Sequence, residues 1–260
     1  MGRARPEWAF RFGARTVILF VRSMGWRLDI EGIEHLPPTG GAVLTFNHHS
    51  YADWVMSAWP LYVHLGRPVR FLAKQELFER RSVGWLLRGA GQVPVARASR
   101  TGRAEAFSAA VDRLRGGEVV AVAPEQTISE SFELLPFRTG PARMAREAGV
   151  PLIPTVNWGT QRFSTKGRRI HLVRRIPVLV RIGEPMQVPG DADLTAVTDQ
   201  LRATMEQMLR DIQVNYPDQA TPGDDWWVPA RLGGSAPPHH EVLRRHRERE
   251  ARWHGNGDTD

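Results

Sequence analysis

The ten residues "TFNHHSYADW", positions 45–54, set two adjacent histidines, a serine, a tyrosine and an aspartate between a strand-like run and a helix-like run. Such polarity is out of place in a core and at home in a reaction centre. His48 is followed five positions on by Asp53, a spacing that lets Nδ1–H be bridged to the carboxylate. The bridge fixes the tautomer and leaves Nε2 as a general base of the kind that deprotonates a hydroxyl. No G-x-S-x-G nucleophile elbow and no cysteine is present, so the hydroxyl is assigned to a substrate rather than to the enzyme. Two other readings stand beside this one. His48, His49 and Asp53 could hold a metal, although no HExxH and no second histidine cluster in the domain offers further ligands. Alternatively, the histidine is a structurally satisfied residue at the start of a helix.

Such a loop needs strands and helices to place it. "GAVLTFN" is a short apolar run bounded by Gly and Asn, followed by a helix-like stretch over 52–64. "VRFLA", "QVPVA", "EVVAVA" and "VPLIPTVNW" read as further strands, and "SVGWLLRGA", "AEAFSAAVDRLRGG" and "PARMAREAG" as the helices between them. Upstream, "RLDIEGIEHLP" alternates like a strand; downstream, 170–182 adds strand-like runs and 193–213 a last amphipathic helix. Strands alternating with helices give an α/β fold with a mostly parallel central sheet flanked by helices. In such sheets sites form at the carboxyl ends of strands. Three loops there carry polar residues: "NHHSYAD", "ARASR" and "PEQTIS".

The 260 residues, 42% hydrophobic and 24% charged, bound one globular domain with short appendages. Without cysteine there is neither a disulfide framework nor a thiolate metal site. The net charge of +7 is uneven: residues 1–27 carry about +5, residues 161–181 about +7, and the remainder about −5. Two basic patches on a mildly acidic body suit an anionic partner. Nucleic acid is disfavoured because no helix-turn-helix, zinc-finger or aromatic RNA-binding signature accompanies them. An anionic membrane surface suits the first patch, since on a helix Arg11, Arg15 and Arg22 fall within roughly 40° of one another, opposite Phe10, Val17, Phe20, Val21 and Met24. "TVILFV" is far short of the ~20 residues that span a bilayer, and no small-residue cleavage site marks a signal peptide. The competing reading packs this helix on the protein's own core. The expected organisation is therefore a membrane-surface amphipathic helix over 1–27, a domain over 28–216, and a Pro/Gly/charge-rich C-terminal tail over 217–260 whose end is mobile.

The same residues carry a resemblance. "NHHSYAD", "GQVPVAR", "APEQTIS" and "GVPLIPTVNWG", in that order across roughly residues 30–185, resemble the four blocks of the glycerolipid acyltransferases of the 1-acylglycerol-3-phosphate acyltransferase type. The resemblance implies transfer of a fatty acyl group from a coenzyme A or acyl carrier protein thioester to a lysolipid hydroxyl, with no other cofactor, no metal and no covalent acyl-enzyme. His48 would be the base and Asp53 its orienting partner. Glu125 and Thr127 would help bind the acceptor and shape the site, with Gln126 between them. Arg97, with Lys74, would meet a phosphate through charge-assisted hydrogen bonds. The expected place is the cytoplasmic face of the cell membrane, peripheral or monotopic. Two departures stand out: the third block has Gln126 where the family usually has Gly, and Ile128 where it has Arg. Either the site is re-cut for another acceptor, or Arg97, Lys74 and the 162–181 cations take over the phosphate. A hydrolase using the same dyad with water and an inactive membrane-binding relative are the rival readings.

Overall fold

The computed structural model describes residues 8–81, 84–96 and 99–255. In chain order the elements are α1 (Trp8–Met24), β1 (Arg27–Glu31), β2 (Ala42–Phe46), α2 (Asp53–Leu65), β3 (Val69–Lys74), α3 (Gln75–Glu79), α4 (Gly84–Gly89), β4 (Val93–Val95), α5 (Arg100–Arg115), β5 (Val119–Val122), α6 (Gly140–Ala148), β6 (Leu152–Trp158), β7 (Pro177–Ile182), α7 (Leu194–Val214) and α8 (His239–Gly255). Among the described residues the strands form one seven-stranded sheet in the order β1-β7-β6-β2-β5-β3-β4. Every neighbouring pair is parallel except β6 with β7. The mostly parallel sheet expected from the sequence is therefore the architecture.

The central strands follow the rule for sheets covered on both faces. β2 is buried at all five positions and β6 at all seven, so these strands read as continuous apolar runs instead of alternating. One face packs under α1 and α2 through Val21, Met56 and Leu61 against Leu44, Ala121 and Ile153. The other packs under α5, α6 and α7 through Ala110, Ala145 and Met205 against Val43, Val120 and Leu152. Glycines in the left-handed region, Gly66 after α2 and Gly149 after α6, stop these helices by closing their last carbonyls.

Three expectations change. The apolar stripe of α1 lies on the protein itself: Phe10 meets Tyr62 edge-on, Phe20 meets Trp26 and Phe163, and Val21 and Met24 are buried. Burying such side chains contributes roughly 1.5–3 kcal/mol each, so moving that stripe to lipid gains nothing. What α1 shows to solvent is Arg11, Arg15 and Arg22 together with Phe12 and Leu19. Second, residues 170–175 form no strand; only β7 pairs into the sheet, between β1 and β6. Third, the segment after 216 is folded rather than a mobile tail up to residue 255. Trp227, Ala236 and Val242 are buried, Arg162 lies 4.5 Å over the Trp227 ring, and Arg138 pairs with Glu250 on α8. Apolar anchors spaced along a Pro/Gly-rich segment supply the burial that its composition does not advertise. Residues 256–260, where the mobile end was expected, lie outside the described residues.

Candidate active site

The loop that joins β2 to α2 carries the histidines, and Asp53 is the first residue of α2. The carboxylate therefore sits at a helix N-terminus, where partial positive charge favours it. Its side chain is fully buried, and its oxygens are held by three short hydrogen bonds. Oδ2 accepts the backbone N–H groups of His49 and Ser50, both at 2.6 Å. Oδ1 accepts the Thr160 hydroxyl at 2.7 Å. His48 Nδ1 lies 3.4 Å from Oδ2, a longer fourth contact. Catalytic hydrogen bonds in unliganded sites are often long and tighten when substrate binds. The His48 side chain is 23% exposed while Asp53 is 0% exposed, so the base stands at the lip and its orienting carboxylate lies beneath it.

His49 points the other way. Its ring is buried edge-on against Phe132 and Trp158, and Nδ1 lies 3.1 Å from the Asn47 amide. Burial pushes this imidazole down to about 4 and keeps it neutral. A ring turned into the core cannot share a metal with His48, which removes the geometry of the metal reading.

Glu125 comes from the third loop, after β5. Oε1 accepts the His48 backbone N–H at 2.8 Å and Oε2 the Leu135 N–H at 2.8 Å. Ser129 N–H returns a bond to the His48 carbonyl at 2.8 Å. Burial pushes the Glu125 carboxyl up to about 8, against the pull of these two donors. Both of its oxygens serve the backbone of the loops, so Glu125 shapes the site rather than reaching for a ligand. Gln126 has φ 58, the left-handed backbone that the family's glycine would adopt without cost, and its side chain is exposed. Thr127 is half-buried beside it. Ile128 is buried at 5% exposure, so the position of the family's arginine faces the interior here.

The structure thus joins His48, Asp53 and Glu125 directly, with Gln126 and Thr127 in the same loop as Glu125. Lys74 stands apart: it is exposed at the carboxyl end of β3, beside Val95 of β4, with no ion-pair partner among the described residues. Arg97 lies outside the described residues.

A model of the Acyltransferase family matches residues 27–158. This chain belongs to the acyltransferase family. It is 31% identical over 206 residues to 1-acyl-sn-glycerol-3-phosphate acyltransferase alpha of Bos taurus, covering 77% of this chain and 69% of that one. It is 28% identical over 145 residues to the chloroplastic 1-acyl-sn-glycerol-3-phosphate acyltransferase BAT2 of Brassica napus, covering 55% of this chain but spanning only 40% of the relative's length. The fold resembles that of the 1-acyl-sn-glycerophosphate (LPA) acyltransferase PlsC from Thermotoga maritima, with a TM-score of 0.63 and 23% identity, covering 85% of this chain and 86% of that one.

In this acyltransferase the first block, the fourth block and the residue that follows the fourth supply partners that sequence reasoning passed over. Asn47 and Asn157 bridge the ends of β2 and β6: Asn157 N–H donates to Asn47 Oδ1 at 2.7 Å, and Asn47 Nδ2 donates to the Asn157 carbonyl at 3.0 Å. Thr160 then reaches Asp53 because Gly159, at φ 108, turns the chain where an added Cβ would meet the Pro177 carbonyl. The signal was present: a Gly and a hydroxyl directly after a buried strand mark a turn that re-aims a side chain.

Proposed function

We propose that this acyltransferase moves a fatty acyl group from a coenzyme A or acyl carrier protein thioester to the free hydroxyl of a lysophospholipid, most naturally 1-acylglycerol-3-phosphate, in phospholipid synthesis at a membrane surface. The observation that carries the reading is the Asp53 carboxylate, immobilised by His49 N–H, Ser50 N–H and Thr160 Oγ1 beneath a partly exposed His48. A carboxylate so fixed does not follow the ring; the ring follows it. Nδ1–H is held toward Asp53, and Nε2 meets the acceptor hydroxyl. Nε2 takes the hydroxyl proton as the oxygen attacks the thioester carbonyl. The tetrahedral intermediate collapses, the C–S bond breaks, and the departing thiolate takes the proton back from the imidazolium. Atoms and charge balance with no acyl group on the protein.

For the acceptor phosphate, the exposed Lys74 ammonium and Arg97 are the proposed partners, because Ile128 is apolar and turned inward. The similarity to relatives named for 1-acyl-sn-glycerol-3-phosphate supports that acceptor. The test is an assay with a labelled acyl thioester, offered 1-acylglycerol-3-phosphate or monoacylglycerol. Acyl-lipid product from the phosphorylated acceptor, lost by about 10²–10⁴-fold in His48→Ala, is the expected result. Free fatty acid as the main product would make the chain a hydrolase, and preference for the uncharged acceptor would remove the phosphate assignment.

A further inference from the structure

The arginine-rich run at 162–181 divides sharply in the structure. Its two ends are engaged. Arg162 pairs with Asp218 at 2.5 Å, Lys166 with Glu130 at 3.3 Å, and Arg181 with Asp29 and Glu31, both at 3.1 Å. Arg168 lies 4.2 Å over the Trp226 ring. Between these anchors, Arg169, Arg174 and Arg175 are exposed, and their guanidinium groups have no ion-pair or hydrogen-bond partner among the described residues. Two large aliphatic side chains sit among them, Ile170 at 65% and Leu172 at 70% exposure. No acid occurs between 161 and 181. Single exposed aliphatics are ordinary on a protein surface. Two of them interleaved with three open cations on a strand-free loop held at both ends are not, and such a mixture is what an interfacial segment requires.

The loop is also tied to the dyad and to α1. Thr165 Oγ1 donates to the His49 carbonyl at 2.7 Å, and Tyr51 N–H donates to the Ser164 carbonyl at 3.2 Å. On its other side Arg175 N–H donates to the Met24 carbonyl at the end of α1, at 2.9 Å. The solvent side of α1, with Arg15, Leu19 and Arg22, repeats the same mixture of cation and aliphatic.

We propose that the tip of this loop, Arg169 to Arg175, is the surface by which the protein docks on an anionic bilayer. Ile170 and Leu172 enter the interface, and Arg169, Arg174 and Arg175 engage lipid phosphates. The docked loop sets the His48 lip toward the leaflet that holds the acceptor. The occupant is a bilayer rather than a nucleic acid, because a polyanion would use the arginines and leave the two aliphatic side chains in water. The inference rests on the lysolipid reading of the site for its purpose, but its binding test does not.

The experiment uses the full chain and vesicles of equal parts phosphatidylcholine and phosphatidylglycerol, with phosphatidylcholine vesicles as the comparison. Arg169→Gln with Arg174→Gln should weaken co-sedimentation with the anionic vesicles by about twenty-five-fold, about fivefold for each cation near an anionic leaflet. Ile170→Ser with Leu172→Ser should weaken it by at least about tenfold without changing its salt dependence. Both variants should melt like wild type, since neither pair packs in the core; the single variant Arg169→Glu provides the same test with one change. On a short-chain acceptor below its micelle concentration Ile170→Ser with Leu172→Ser should turn over as wild type does, and on long-chain acceptor in vesicles it should fall in step with binding. Undiminished vesicle binding in the variants, equal binding to phosphatidylcholine alone, or loss confined to the arginine pair with duplex DNA competing as strongly as vesicles would overturn the docking surface. Wild type that binds anionic vesicles through this loop yet acylates neither acceptor would instead overturn the lysolipid reading and leave the docking surface standing.

Discussion

The surroundings of His48 and the tip of the 163–176 loop are built on opposite plans. Near the dyad, Asn47, Ser50, Asp53, Glu125, Asn157 and Thr160 are all buried, and each has its oxygen or amide engaged by another loop. At the loop tip every side chain but Val173 is exposed, and the arginine charges are open. The first plan suits chemistry, which needs a base held to a fraction of an ångström. The second suits capture of a partner, where long cationic side chains adapt to whatever phosphates arrive. The difference teaches where substitutions will act: in the frame they should alter turnover or stability, and at the tip they should alter encounter.

The sharpest way to break that contrast is at Asp53. Asp53→Asn keeps the shape but offers an amide that cannot both accept from two backbone N–H groups and orient His48. The expected loss in kcat is about 10²–10⁴-fold with the fold retained, measured by initial rates and a thermal melt. Ile128→Arg is next. Were this position open to the acceptor, the family's residue would improve use of a phosphorylated acceptor. Because Ile128 is buried, the change should instead cost stability, on the order of 3 kcal/mol for an unpaired buried charge, read from a urea midpoint. Thr160→Val should be milder: the Asp53 carboxylate loses one charge-assisted donor, a loss of about 1.5–3 kcal/mol. Its signature is a drop in kcat with KM nearly unchanged, restored by Thr160→Ser.

The smallest expected effect is a pair of opposed pH slopes. His49 is pushed down to about 4 from an ordinary value of 6.5, so the stability it contributes is present above 6.5 and lost as pH falls toward 4. Glu125 is pushed up to about 8 from 4.5, so its contribution is complete below 4.5 and lost as pH rises toward 8. The two oppose each other between 4.5 and 6.5. Urea midpoints across that window should therefore change little in wild type, fall with falling pH in Glu125→Gln, and rise with falling pH in His49→Gln. Parallel slopes in the two variants would show that these buried groups do not titrate as their environments dictate.

Much of this could be read from the chain because local patterns and global fold agree. The apolar runs 42–46, 119–122 and 152–158 became the buried central strands, and the polar loop after the first became the site. The dyad was legible because its two members lie five residues apart on one strand-to-helix turn. Thr160 was not, because its partner Asp53 is 107 positions away and only the parallel pairing of β2 with β6 brings them together. The facing of α1 was also hidden: an amphipathic stripe shows that a helix lies on something apolar, not whether that is lipid or protein. The order of the 217–255 segment was hidden for a similar reason, since its few anchors, Trp227 and Val242 among them, are too widely spaced for a window of sequence to register.

The account's central claim is that His48, oriented by Asp53, deprotonates the acceptor itself. Release of free thiol from the acyl thioester, followed by rapid mixing with and without 1-acylglycerol-3-phosphate, tests it most directly. Wild type should release thiol only when the acceptor is present, at the rate at which acyl lipid appears, and His48→Ala should lower that rate by at least about a hundredfold. A stoichiometric burst of thiol without acceptor, matched by an acyl adduct in the protein's mass, or acceptor-dependent release undiminished in His48→Ala, would contradict it.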